Sequence, residues 1–72
     1  MIRVGIVGYG TIGRLHAQAW QEVPGSKLAV VADCDAASLE KAQNDWNLPA
    51  VASVDEMLEK YDVDLIDICV PT

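Results

Sequence analysis

The stretch Val4-Gly5-Ile6-Val7-Gly8-Tyr9-Gly10-Thr11-Ile12-Gly13 constrains this chain more than any other. Met1 to Val7 is almost wholly apolar apart from Arg3, the pattern of a strand covered on both faces. From Ile12 the period becomes helical: Ile12, Leu15, His16, Ala19, Trp20 and Val23 fall on one stripe, and Pro24-Gly25 ends the helix. Between the two lies Gly8-x-Gly10-x-x-Gly13. Gly8 lets the chain turn sharply off the strand. Gly10 removes the Cβ that would hold an approaching group away from the backbone, and Gly13 lets the new helix pack closely on the strand beneath it.

This spacing is that of dinucleotide-binding turns, in which free N–H groups and the positive end of the helix dipole favour a phosphate. Three spaced glycines alone are a weak signal, but the context supports them. Lys27 to Ala32 reads as a second strand ending on Asp33-Cys34-Asp35, and Asp33 stands twenty positions after Gly13. A carboxylate there accepts hydrogen bonds from both hydroxyls of a ribose and repels a 2′-phosphate. No Arg follows it, so the expected cofactor is NAD, with NADP disfavoured. Asp35 is placed as the N-cap of a second helix from Ala36, with Leu39, Ala42 and Trp46 as its buried stripe.

Asn47-Leu48-Pro49 closes that helix, and Ala50-Val51-Ala52 is a short third strand. Ser53-Val54-Asp55-Glu56 is a capping box, with Ser53 bonding the Glu56 N–H and Glu56 reaching back to Ser53. The helix it starts would carry Val54, Met57, Leu58 and Tyr61 on one face and pair Glu56 with Lys60. Ser53 and Met57 stand where an adenine would lie, although packing alone explains both. Val63 to Val70 is the fourth strand, interrupted by Asp67, whose buried carboxylate needs a partner. Arg3 is the expected one.

The order β-α-β-α-β-α-β makes an α/β chain with an open parallel sheet, a Rossmann (dinucleotide-binding) fold. Right-handed crossovers put the first two helices on one face and return the third across the other. The fourth strand then lies beside the first, with the ligand crevice between them. Only one short helix covers the second face, and the fourth strand is a bare apolar edge. Residues 1–72 are therefore expected to be part of a longer protein, or the free chain to associate through that edge.

Eleven acidic against five basic residues give a net charge of −6 without a basic cluster, which argues against nucleic acid or an anionic membrane as partner. No apolar run approaches the ~20 residues of a membrane span, and the N-terminus lacks a signal-peptide pattern, so a cytoplasmic location is expected. Cys34 and Cys69 have no metal-like spacing and read as reduced thiols. His16 reads as a packed, hydrogen-bonded residue, and Trp20 and Trp46 as packing.

Ile2 to Ala17 resembles the opening of the Gfo/Idh/MocA oxidoreductases. Ala32-Asp33-Cys34-Asp35, Ser53 to Leu58 and Val63 to Thr72 continue the resemblance in register. It implies an NAD(P)-binding Rossmann domain followed by a larger substrate domain, hydride transfer to or from sugars, polyols and related compounds, and dimers or tetramers. By position, the Gly8-Tyr9-Gly10-Thr11-Ile12-Gly13 turn would hold the pyrophosphate and Asp33 the adenosine ribose, with Cys34 beside it. Val70, Pro71 and Thr72 would line the cofactor. The family often has Thr-Pro-Asn there, so a side-chain hydrogen bond from Val70 is out of reach. The family's Glu-Lys-Pro motif and acid–base residue lie beyond Thr72, so no residue of this chain is expected to be catalytic. Two alternatives are an NAD-binding sensor on the same fold and a methyltransferase; against the latter, the acid that usually precedes a methyltransferase's glycine turn is missing before Gly8.

Overall fold

The computed structural model describes residues 1–70, in the order β1 (Ile2–Val7), α1 (Thr11–Gln21), β2 (Ser26–Ala32), α2 (Ala36–Trp46), β3 (Ala50–Val51), α3 (Val54–Lys60) and β4 (Leu65–Ile68). The strands form one parallel sheet in the order β3-β2-β1-β4, so β4 lies beside β1 as right-handed crossovers require.

The two faces of the sheet have separate cores. Val4, Ile6, Leu28 and Val31 meet Tyr9, Ala17 and Ala42 beneath α1 and α2, with Trp20 and Trp46 at the rim. Val30, Ala32 and Val51 meet Met57 of α3 on the other face. Along β2 the pairing slips by one residue: Val4 lies opposite Leu28 but Gly5 lies opposite Val30. The slip puts Leu28 and Val31 on one face, where strict alternation would separate them.

Two helices bury other residues than their periodicity suggests. The face of α1 turned to the sheet carries Gly13 and Ala17, while Ile12 and Leu15 remain 54% and 55% exposed and Val23 is exposed too. The helix lies so close to the sheet that small residues must face it. On α3, Met57 is fully buried but Leu58 is exposed, so the apolar face is narrower than Val54, Met57, Leu58 and Tyr61 together.

The caps follow side-chain chemistry. Asp35 accepts from the Ser38 N–H at the start of α2, and Asn47 closes that helix in the left-handed region at φ 54°. Ser53 Oγ accepts from the Glu56 N–H at 3.1 Å, and Lys60 Nζ lies 3.1 Å from Glu56 Oε1. The return bond of Glu56 goes to the Ala52 N–H at 3.4 Å rather than to Ser53.

Arg3 does not pair with Asp67. The ladder sets Val4 opposite Leu65, which brings Arg3 beside Asp64; its Nε and Nη2 lie 3.1 and 3.3 Å from the two carboxylate oxygens. Asp67 is instead held from α1. It accepts the Trp20 indole N–H at 2.9 Å, and its Oδ2 is 2.7 Å from His16 Nδ1. His16 is hydrogen-bonded as expected, but its side chain is 48% exposed rather than packed.

Candidate functional site

The ends of β1, β2 and β4 meet at one edge of the sheet, and the glycine turn closes over them. Gly8 sits at φ +94°, and a Cβ there would meet Val70 Cγ1 at 2.8 Å and the Cys69 carbonyl at 3.0 Å. A Cβ on Gly13 would run into the Gly8 carbonyl oxygen, so α1 starts directly on the turn. Gly10 is the opposite case: no atom lies within 4 Å of its missing Cβ, and the turn is open there.

Gly10 is also the N-cap of α1, with no side-chain cap and no acidic residue in the first turn. By contrast, α2 and α3 are capped by Asp35 and Ser53. The first N–H groups of α1 lack a side-chain acceptor, and the helix dipole adds partial positive charge at the same point. An anion seated there would satisfy both.

Asp33 faces this turn. Its Oδ2 accepts the Tyr9 N–H at 2.7 Å and its Oδ1 the Asp35 N–H at 2.8 Å. Two backbone donors thus fix the carboxylate, and each oxygen keeps acceptor capacity for a further donor. Gly8, Gly10, Thr11, Ile12, Asp33, Cys34 and Val70 all line one cleft of ≈ 700 Å³. A smaller apolar recess of ≈ 200 Å³ opens beside Asp33 towards Ala52, Ser53 and Val54. Met57 lies in the core instead.

Gly13 sits behind the cleft, and the Tyr9 ring is buried under α2. There its hydroxyl donates to Asp45 Oδ2 at 2.7 Å and accepts from Trp46 Nε1 at 2.8 Å. Burial and then the Asp45 carboxylate raise the Tyr9 hydroxyl to about 12. Pro71 and Thr72 lie outside the described residues.

Three further residues line the cleft without having been singled out from sequence: Ser38, Ile68 and Cys69. Ser38 follows from the capped first turn of α2, and Cys69 from strand alternation with Asp67. Burial, then the Asp67 carboxylate, pushes the Cys69 thiol up to about 11, so it is a neutral thiol at pH 7. Beyond Ser38, a recess of ≈ 420 Å³ between α1 and α2 carries Arg14 and Lys41, with Arg14 Nε 3.4 Å from Asp45 Oδ2.

The model of the oxidoreductase family with an NAD-binding Rossmann fold matches residues 2–72. The chain belongs to the Gfo/Idh/MocA family. It is 37% identical over 68 residues to an inositol 2-dehydrogenase of Agrobacterium fabrum, covering 90% of this chain and 20% of that protein. It is 32% identical over 72 residues to the uncharacterized oxidoreductase YrbE of Bacillus subtilis, covering 99% of this chain and 21% of the relative. Among solved structures it matches the scyllo-inositol dehydrogenase of Lactobacillus casei, determined with NAD(H) and scyllo-inositol, at a TM-score of 0.87 and 29% identity. That match covers 99% of this chain and 22% of the enzyme. The chain thus spans about a fifth of the length of the Gfo/Idh/MocA proteins it matches. Among the described residues, no helix is long and apolar enough to cross a membrane.

Proposed function

We propose that this chain is the NAD-binding part of a dehydrogenase acting on an inositol, a sugar or a related polyol. The observation that carries the reading is the pairing, across one cleft, of an uncapped helix N-terminus with a carboxylate fixed by two backbone N–H groups. An anion acceptor and a hydroxyl acceptor at the two ends of one cavity suit the pyrophosphate and ribose of a dinucleotide. The polyol class rests on the inositol dehydrogenases among its relatives.

In this reading Gly8, Gly10, Thr11, Ile12 and Gly13 shape the pyrophosphate cradle, and Tyr9 contributes its backbone while its ring anchors the turn. Asp33 accepts from the ribose hydroxyls, with Cys34 beside it. The recess at Ala52 and Ser53 takes the adenine, and Val70 lines the cofactor. When bound, the nicotinamide supplies hydride transfer; these residues bind and orient. Residues 1–72 form the first portion of the cofactor domain. A substrate domain in the rest of a cytoplasmic, homo-oligomeric protein supplies the acid–base chemistry.

Titration of the full-length protein with NAD and with NADP tests the reading. Saturable NAD binding, tighter than NADP, is expected, together with NAD reduction in the presence of an inositol or sugar. NAD binding without turnover on any polyol would favour the sensor, and binding of S-adenosylmethionine in place of NAD would overturn the reading.

A further inference from the structure

We propose that His16, Asp67 and Cys69 form a binding site for a borderline divalent cation of the zinc type. One imidazole nitrogen, one carboxylate oxygen and the Cys69 sulfur all lie within 4.8 Å of one another. In a tetrahedral zinc site, with bonds of about 2.0–2.3 Å, ligand atoms stand about 3.3–3.8 Å apart, so small side-chain rotations bring this cluster to bonding distance.

The fold builds the cluster. Asp67 and Cys69 stand two residues apart, at and just beyond the end of β4, and therefore project to the same side of the sheet. Cys69 is held in ladder by its N–H, which donates to the Val7 carbonyl at 2.7 Å. His16 comes from α1, which approaches closely because Gly13 and Ala17 face the sheet.

A mixed nitrogen, oxygen and sulfur donor set selects zinc or cobalt over magnesium or calcium, which take oxygen ligands. The Trp20 indole N–H, donating to Asp67 Oδ2 at 2.9 Å, orients the carboxylate as partners of metal-bound acids do. His16 is exposed, which leaves a fourth position open to water. On binding, the Cys69 thiol proton passes to solvent, a metal–sulfur bond forms, and no group is oxidised or reduced.

The test is cobalt binding to the full-length protein after stripping with chelator. The expected result is a thiolate-to-cobalt charge-transfer band that saturates at one ion per chain and is displaced by zinc. Cys69→Ala abolishes it and Cys34→Ala leaves it unchanged. His16→Asn keeps an N–H donor for Asp67 but offers no imidazole, and weakens cobalt binding by about tenfold or more. In the wild-type protein, zinc also protects Cys69 from alkylation, a readout that needs no variant. Absence of the thiolate band, its survival in Cys69→Ala, wild-type affinity in His16→Asn, or unprotected Cys69 would each overturn the proposal. Because Cys69 also lines the dinucleotide cleft, the alkylation is done on protein freed of cofactor; with none bound, the cobalt and alkylation readouts test this site apart from the dinucleotide reading.

Discussion

The backbone N–H of Tyr9 donates to Asp33 Oδ2 at 2.7 Å, so the glycine turn after β1 and the carboxylate after β2 are one hydrogen-bonded unit. The turn holds the acid, and the acid holds the turn. This bond joins the two ends of the proposed cofactor cleft before anything is bound.

Asp33→Ser is expected to shift the preference from NAD towards NADP. It removes the charge that opposes a 2′-phosphate and leaves the neighbouring recess with Arg14 and Lys41 to receive one. It also deprives the Tyr9 and Asp35 N–H groups of their acceptor, at a cost of about 1–3 kcal/mol. The ratio of NAD to NADP dissociation constants and a urea titration check the two effects; an unchanged ratio would remove Asp33 from the ribose site.

Gly10→Ala and Gly13→Ala should separate binding from stability. A methyl at Gly13 meets the Gly8 carbonyl and must lift α1 from the turn, costing about 1–3 kcal/mol or more. A methyl at Gly10 meets nothing, so stability should change by only about 0.5 kcal/mol while NAD binding weakens. Paired measurements of denaturation midpoint and NAD affinity decide this.

Asp67 should make the fold acid-sensitive. Burial works against its charge, but the Trp20 and His16 hydrogen bonds outweigh it and hold the carboxyl below its ordinary value. A carboxyl depressed in the folded state contributes stability above the unfolded value, about 3.9, and loses it as the pH falls through the folded one. Unfolding titrations from pH 6 downwards, in units of about one, should show this loss below about pH 4, and Asp67→Asn should flatten it.

Tyr9→Phe is expected to cost about 1–3 kcal/mol, because Asp45 loses its donor and the Trp46 N–H its acceptor. The hydroxyl is raised from 10.0 to about 12, so its stabilisation is complete below pH 10 and is lost as the pH rises through 12. Phenolate absorbance and alkaline unfolding follow this loss, and both should lack it in Tyr9→Phe.

Much of the architecture is legible in the residues. Gly8, Asp35 and Ser53 mark turn and cap chemistry that depends only on near neighbours, and the crossover rule then orders the strands. What is hidden depends on register and distance. Arg3 and Asp67 are two charges on adjacent strands, yet only the pairing of Val4 with Leu65 reveals that Asp64 is the partner of Arg3. The buried face of α1 is hidden for another reason: Gly13 and Ala17 add little to an apolar stripe, while Ile12 and Leu15, which dominate it, lie outside. The cluster of His16, Asp67 and Cys69 has no spacing to betray it, since two elements far apart in sequence supply it.

The slipped pairing along β2 means that the two halves of that strand answer to different constraints. Its first half is phased by Leu28 in the core under α1, its second by Val31 and by the acid that follows. Deleting Ala29 would give strict alternation and still leave Val30, Val31 and Ala32 opposite Gly5, Ile6 and Val7, with Asp33 on the face it now occupies. The slip absorbs the extra residue where it does no harm, so the site end of β2 keeps the phase that β1 sets.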